Sequence, residues 1–168
     1  MKRKHVSWTG LMEQLDRARR YLERMQQACS SVPYRRDASD YYADDVYSFF
    51  VHCYHVRDWL IRLGLAPADA VDRYVNDNLE LSICADLCNG MKHCRLDRKR
   101  TSSQPYVGGH RLSGSGRVMN PQDGVIEPAN LQCLFEVHAE GEYYDALWLA
   151  RRCMALWDQF IASLPDAS

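Results

Sequence analysis

Apolar positions recur at steps of three and four over four long stretches of the chain, and each such stretch predicts an amphipathic helix. Over 8–29 the series is Trp8, Leu11, Met12, Leu15, Ala18, Leu22, Met25 and Cys29, with Ser7 as the expected cap. Over 43–63 it is Val46, Phe49, Phe50, Cys53, Leu60 and Leu63, with Asp44 and Asp45 near the start and Gly64 as the stop. A shorter helical piece at 68–75 and a break at Asn76, Asp77 and Asn78 precede a third long helix, 79–96, with Leu79, Ile83, Leu87, Gly90 and Cys94 along one stripe. The last, 143–163, is apolar over much of its circumference, so it is expected to be the central packing element.

Between the third and fourth of these helices the period changes. Gly108-Gly109, Ser113 to Gly116, Pro121 and Asp123-Gly124 supply turns, and Leu131, Cys133, Phe135 and Val137 alternate with Gln132, Leu134, Glu136 and His138, the period of a strand. The expected fold is therefore mainly α: a four-helix up-and-down bundle, one domain over 1–168, with a small β-hairpin or three-stranded flap at about 100–140. A loop over 100–117 is the alternative for the first part of that flap.

Composition narrows the function classes. The chain has 168 residues, 46% apolar and 26% charged, enough for one core without metal or disulfide staples. A net charge of −1 gives no global field for nucleic acid or membrane, and no apolar run approaches a membrane span. The lysine- and arginine-containing start leads into an amphipathic stretch, not into the apolar core of a signal peptide. Seven cysteines without framework spacing suit a reducing compartment, so a cytoplasmic protein is expected, with no membrane partner.

Candidate chemistry gathers at the end of the third long helix. At about 100° per residue, Asp86, Asn89 and His93 fall on one stripe, so a carboxylate, an amide and an imidazole line the edge of the packed face, beside Lys92. Gly90 within that helix suggests close approach of another group. Arg57 falls inside the apolar stripe of the second helix and needs a carboxylate or anion there; Asp86 is the expected partner, with Asp58, Asp44 and Asp45 as competitors. On the opposite side His52, His55, Trp59 and Arg62 mark a second packing surface, for the first helix or another subunit.

Cys84, Cys88, His93 and Cys94 raise zinc by residue type, but Cys84 and Cys88 lie far around the helix from His93 and no Cys-x-x-Cys pair is present, so no metal and no cofactor are expected. The same separation argues against a Cys88–His93 nucleophile pair, and no glycine-rich phosphate loop follows a strand. From 92 to 117 stand Lys92, Arg95, Arg98, Lys99, Arg100, Arg111 and Arg117 against one acid, Asp97; of these Arg95, Arg98, Lys99 and Arg100 are the candidate binding residues for a phosphate backbone, RNA or nucleotide. The outward face of the first helix is also basic, with Arg17, Arg19, Arg20 and Arg24, which reads first as a solvated surface.

Tyr54-His55-Val56-Arg57-Asp58-Trp59 on one helix, Asp86-x-x-Asn89-x-x-Lys92-His93 on another and Gly-Glu-Tyr-Tyr-Asp-Ala before a last helix bearing Trp157 resemble a group of small helical bacterial and phage proteins, and their arrangement is similar to the HEPN superfamily. The resemblance spans roughly 42–163. It implies a helical bundle that dimerises, and metal-independent RNA cleavage with His93 as base, Lys92 and Arg57 as cations, and Asp86 and Asn89 orienting them. HEPN ribonucleases place an Arg a few residues before the His; here those positions hold Asp86, Leu87 and Cys88, so the direct carry-over falls on His93, with Arg57 reaching in from the facing helix. The alternative is a non-enzymatic protein–protein interaction module in which the motif ties two helices together.

Overall fold

The computed structural model describes residues 8–36, 38–93, 96 and 98–165. Five helices and a mixed set of strands are present: α1 Trp8–Ser30, β1 Val32–Pro33, α2 Ala38–Arg62, α3 Ala68–Asp77, α4 Leu79–His93, β2 Tyr106–Ser115, β3 Val118–Met119, β4 Ile126–Glu127, β5 Asn130–Ala139, β6 Glu142–Asp145 and α5 Ala146–Ala162. The four-helix bundle is thereby overturned. The chain is a mixed α/β structure in which an antiparallel sheet forms one wall of the core, and the expected cap Ser7 lies outside the described residues.

β5 is the strand that makes the sheet structural. Its Leu131, Cys133, Phe135, Val137 and Ala139 are buried while Gln132, Leu134, Glu136 and His138 are half-buried, the alternation that a pleated strand imposes. β2 pairs along one edge, from Tyr106 opposite His138 to Ser115 opposite Asn130, with an irregularity between Val107 and His110. The other edge is shared by β1, with Val32 opposite Leu131, and β6, with Val137 opposite Tyr144.

Sequence periodicity placed the start of the last helix within β6. Glu140 and Gly141 both have positive φ (55° and 77°), the two-residue turn that folds a strand straight back on itself. Glu142 to Asp145 therefore continue the sheet, and the Asp145 carboxylate, accepting from Trp148 N at 2.7 Å, caps α5 one residue later.

The core runs between this sheet and the helices, with Trp157, Phe49, Phe50, Leu11, Leu15 and Leu149 among its largest wholly buried side chains. α4, not α5, is the most enclosed helix: every residue from Leu81 to Cys88 is buried, while α5 exposes Trp148, Arg151 and Arg152. α1 packs on α2 through Gly10, where any side chain would meet the Trp59 ring. The second packing surface read on α2 is thus for the first helix. No described helix is long and apolar enough to cross a membrane.

Candidate functional site

Asp86 sits in the middle of the enclosed run of α4, with no exposed surface. Its Oδ2 accepts three hydrogen bonds, from Arg100 N at 2.7 Å, Thr101 N at 2.8 Å and the Thr101 hydroxyl at 2.7 Å. Its Oδ1 has no partner among the described residues. A buried carboxylate that takes two successive backbone N–H groups fixes the path of the chain that carries them, as a helix-capping carboxylate does. The loop beyond α4 is thereby drawn back over the helix, and Arg98, Lys99 and Arg100 come to line a hollow of about 440 Å³ with Asn76 and Ser82.

Within that hollow the three cations are used differently. The Arg100 guanidinium donates to Asn76 Oδ1 at 3.0 Å, lies 3.5 Å from Asp72 and stands over the Tyr54 ring, so it is part of the wall. Lys99 reaches only the carbonyl of Ser102, and Arg98 has no charged partner among the described residues. Two cationic heads are left facing solvent at the mouth. Arg95, the fourth candidate binding residue, lies outside the described residues.

Arg57 is paired, but not with Asp86. Its Nε and a terminal nitrogen meet the two oxygens of Asp72 on α3 at 2.7 and 2.9 Å, and the other terminal nitrogen meets Asp58 at 2.8 Å. Sequence reasoning missed Asp72 because α3 entered only as a minor helical piece. The Arg57 guanidinium hydrogen-bonded to Asp72 holds that carboxyl below the ordinary range. With two carboxylates on it, Arg57 has no spare charge for a bound phosphate.

The rest of the stripe separates as well. Asn89 is half-buried, while Lys92 and His93 are exposed at the end of α4. Lys92 Nζ lies 2.8 Å from His55 Nε2, a contact that requires the imidazole to accept and hence to be neutral. Burial first, and then the Lys92 charge, lower the pKa of His55 in agreement. No hydrogen bond from a described residue orients His93. Gly90 is approached by the Gln104 side chain, 3.2 Å from where a Cβ would stand, so the crowding foreseen there comes from the returning loop.

The basic face of α1 is a second hollow, not a uniformly solvated one. Arg17, Arg20 and Arg24 point with Tyr21 and His52 into about 450 Å³. Its floor is built: the Tyr21 and His52 rings stack at 5.2 Å and 12°, and the buried Gln14 amide donates to the His52 carbonyl at 2.7 Å. Arg24 is neutralised by Asp45, whereas Arg17 bonds only Gln14 and Arg20 has no partner among the described residues. Burial, with His55, Arg17 and Arg20 nearby, depresses the pKa of His52.

Chemically, the two hollows present cations suited to anions, and the stripe of Asp86, Asn89 and His93 holds no oriented acid–base pair among the described residues. General base catalysis needs an imidazole aimed and poised by a partner. The residues that the sequence grouped for that role are spent on other contacts or left free. Comparison of the chain with protein families, curated proteins and solved structures finds no match, so the site is read from its geometry alone.

Proposed function

We propose that the chain binds phosphate-bearing ligands, RNA or nucleotide, through the hollow that the Asp86-anchored loop forms. One observation carries the reading: a buried carboxylate is spent on backbone N–H groups, and its effect is to fix Arg98, Lys99 and Arg100 around one cleft. Pre-positioned cations lower the ordering cost of contacting a phosphate backbone. The second basic hollow, with Arg17 and Arg20 unneutralised, supports the same ligand class.

Binding is the form of this proposal that the geometry favours over cleavage. Asp86 and Arg57 are engaged with protein groups, and His93 is unoriented. The HEPN-like reading enters this proposal only as a nucleic-acid ligand, and cytoplasmic residence is part of the same proposal. The test is a titration of a labelled single-stranded RNA against the intact chain at several salt concentrations, with the R98Q/K99Q variant beside it. Weaker binding by the variant and a shallower salt dependence support the proposal; undiminished binding overturns it. Incubation of the same RNA without metal, with wild type and His93→Ala, reads cleavage separately.

A specific observation favours a second reading, the interaction module. β2 has one edge unpaired among the described residues, and Leu112, Val118, Met119 and Ile126 on β2 and the small hairpin β3–β4 are exposed. An open edge flanked by apolar side chains is a pairing surface, and a second copy of the chain is the partner the sequence reading anticipates. Sedimentation of wild type against Leu112→Lys and Met119→Lys decides whether such a dimer forms through it.

A further inference from the structure

Three thiols from three different helices meet in the core. Cys53 of α2, Cys84 of α4 and Cys153 of α5 are each wholly buried, and their sulfurs all lie within 4.8 Å of one another. Periodicity along one helix could not show this, because each helix supplies a single ligand. Cys84 and Cys153 donate to the carbonyls of Phe50 and Glu80, each across a helix interface, so the cluster is locked into the packing of α2, α4 and α5.

A second observation points to an electron-rich centre there. The Trp157 indole N–H is buried without a hydrogen-bond partner among the described residues, an uncommon state for so strong a donor. The indole lies beside the Cys53 thiol, outside hydrogen-bond geometry with it. Bound thiolate sulfur would give the indole its missing acceptor.

Ligand count and charge decide which ion suits such a pocket. Structural zinc takes four ligands, and no further His, Cys, Asp or Glu among the described residues joins the group. A monovalent or divalent ion on three thiolates would leave net negative charge in a dry interior, which is unfavourable. A trivalent, three-coordinate, thiophilic centre gives a neutral complex. Bonds of about 2.3 Å to a pyramidal centre place three sulfurs roughly 3.5 Å apart, so loading draws the thiols together from a spacing that is within 4.8 Å.

We propose that Cys53, Cys84 and Cys153 form a buried three-sulfur site for a trivalent thiophilic ion of the arsenite or antimonite class. Loading conserves charge and oxidation state: in neutral arsenious acid three As–O bonds break and three As–S bonds form. Each thiol proton leaves with a hydroxide as water, and no oxidant or reductant takes part. The site is independent of the phosphate-binding hollow, and loading it ties α2, α4 and α5 together at one point.

The experiment is incubation of the intact, reduced chain with sodium arsenite, followed by native mass spectrometry and X-ray absorption at the arsenic edge. The site predicts one arsenic retained per chain, three sulfur neighbours, a raised melting temperature, and loss of retention in Cys53→Ser, Cys84→Ser and Cys153→Ser, while Cys133→Ser and Cys29→Ser retain it. Arsenic absent after incubation, a centre with two sulfurs, or retention unaffected by Cys53→Ser overturns the assignment. The coordination number comes from wild type, so the proposal is testable even where a serine variant fails to fold.

Discussion

Replacing Asp86 by Ala removes the acceptor of three hydrogen bonds, and the structure allows the cost to be apportioned. Arg100 N belongs to an exposed residue and can rehydrate, and the Thr101 hydroxyl can turn its one proton to the Ser103 carbonyl, 2.7 Å away. Thr101 N–H, in a residue 7% exposed, has neither recourse, so its full desolvation penalty of about 1–3 kcal/mol remains. Loss of charge-assisted bonding adds to this, and relief from burying a carboxylate with an unpaired Oδ1 subtracts. The net expectation is a destabilisation of about 2–4 kcal/mol, a large share of a typical domain's 5–15 kcal/mol. Asp86→Asn, which keeps an acceptor oxygen, should cost about half as much. The assay is urea unfolding with the slope held common to all variants. A double-mutant cycle between Asp86 and Arg57 should show coupling below about 0.5 kcal/mol, because the two do not touch and are linked only indirectly, through the Arg100 side chain 3.5 Å from Asp72. An Asp86→Ala variant as stable as wild type, or a strong Asp86–Arg57 coupling, would refute the assignment of Asp86 to the loop.

Further outcomes follow from the same contacts. Arg57 and Asp72 should couple by about 1 kcal/mol in a cycle, near the upper range for a partly exposed but bidentate pair; additive mutants would deny the pairing. Because the Asp72 pKa is depressed in the fold, the stabilisation it brings is present above the unfolded carboxyl pKa and is lost as pH falls through the folded value. Acid unfolding of Asp72→Asn should accordingly be flatter below about pH 4. His52 and His55 have depressed pKa values, so unfolding should become easier as pH falls below about 6.5, and His52→Gln should reduce that slope. Gly108→Ala would drive its Cβ into the His138 ring and should cost about 1–3 kcal/mol by thermal unfolding, whereas His93→Ala should leave stability within about 0.5 kcal/mol.

Helix periodicity located α1, α2 and α4 to within a few residues at most ends, and the alternation of Leu131 to His138 located β5, because both periods are written in the burial of successive side chains. The architecture was harder to read. β1 has two residues, and β6 is an extended Glu-Tyr-Tyr-Asp whose direction is set by the positive φ of Glu140 and Gly141, so neither carries a periodic signal. Without them β5 reads as a flap; with both edges filled it becomes a core wall. The stripe of Asp86, Asn89 and His93 was legible as a stripe, but its division was not. Asp86 lies where α4 is enclosed, and His93 lies about two turns further on, where the helix has left the core. Asp58, a partner of Arg57 on the same helix, was among the candidates, but Asp72 and the partners of Lys92 and Cys84 are on other elements, and contacts of that kind leave no mark in local spacing. Asp72 and Cys153 become visible only when the helices are packed.

The cleft beside Asp86 is tested most directly by the salt dependence of single-stranded RNA binding to wild type and to R98Q/K99Q. If Arg98 and Lys99 meet phosphates, log Kd should rise linearly with log salt for wild type, and the slope should fall by about one for each cation removed. Identical slopes, or no RNA binding by wild type at low salt, would contradict the account.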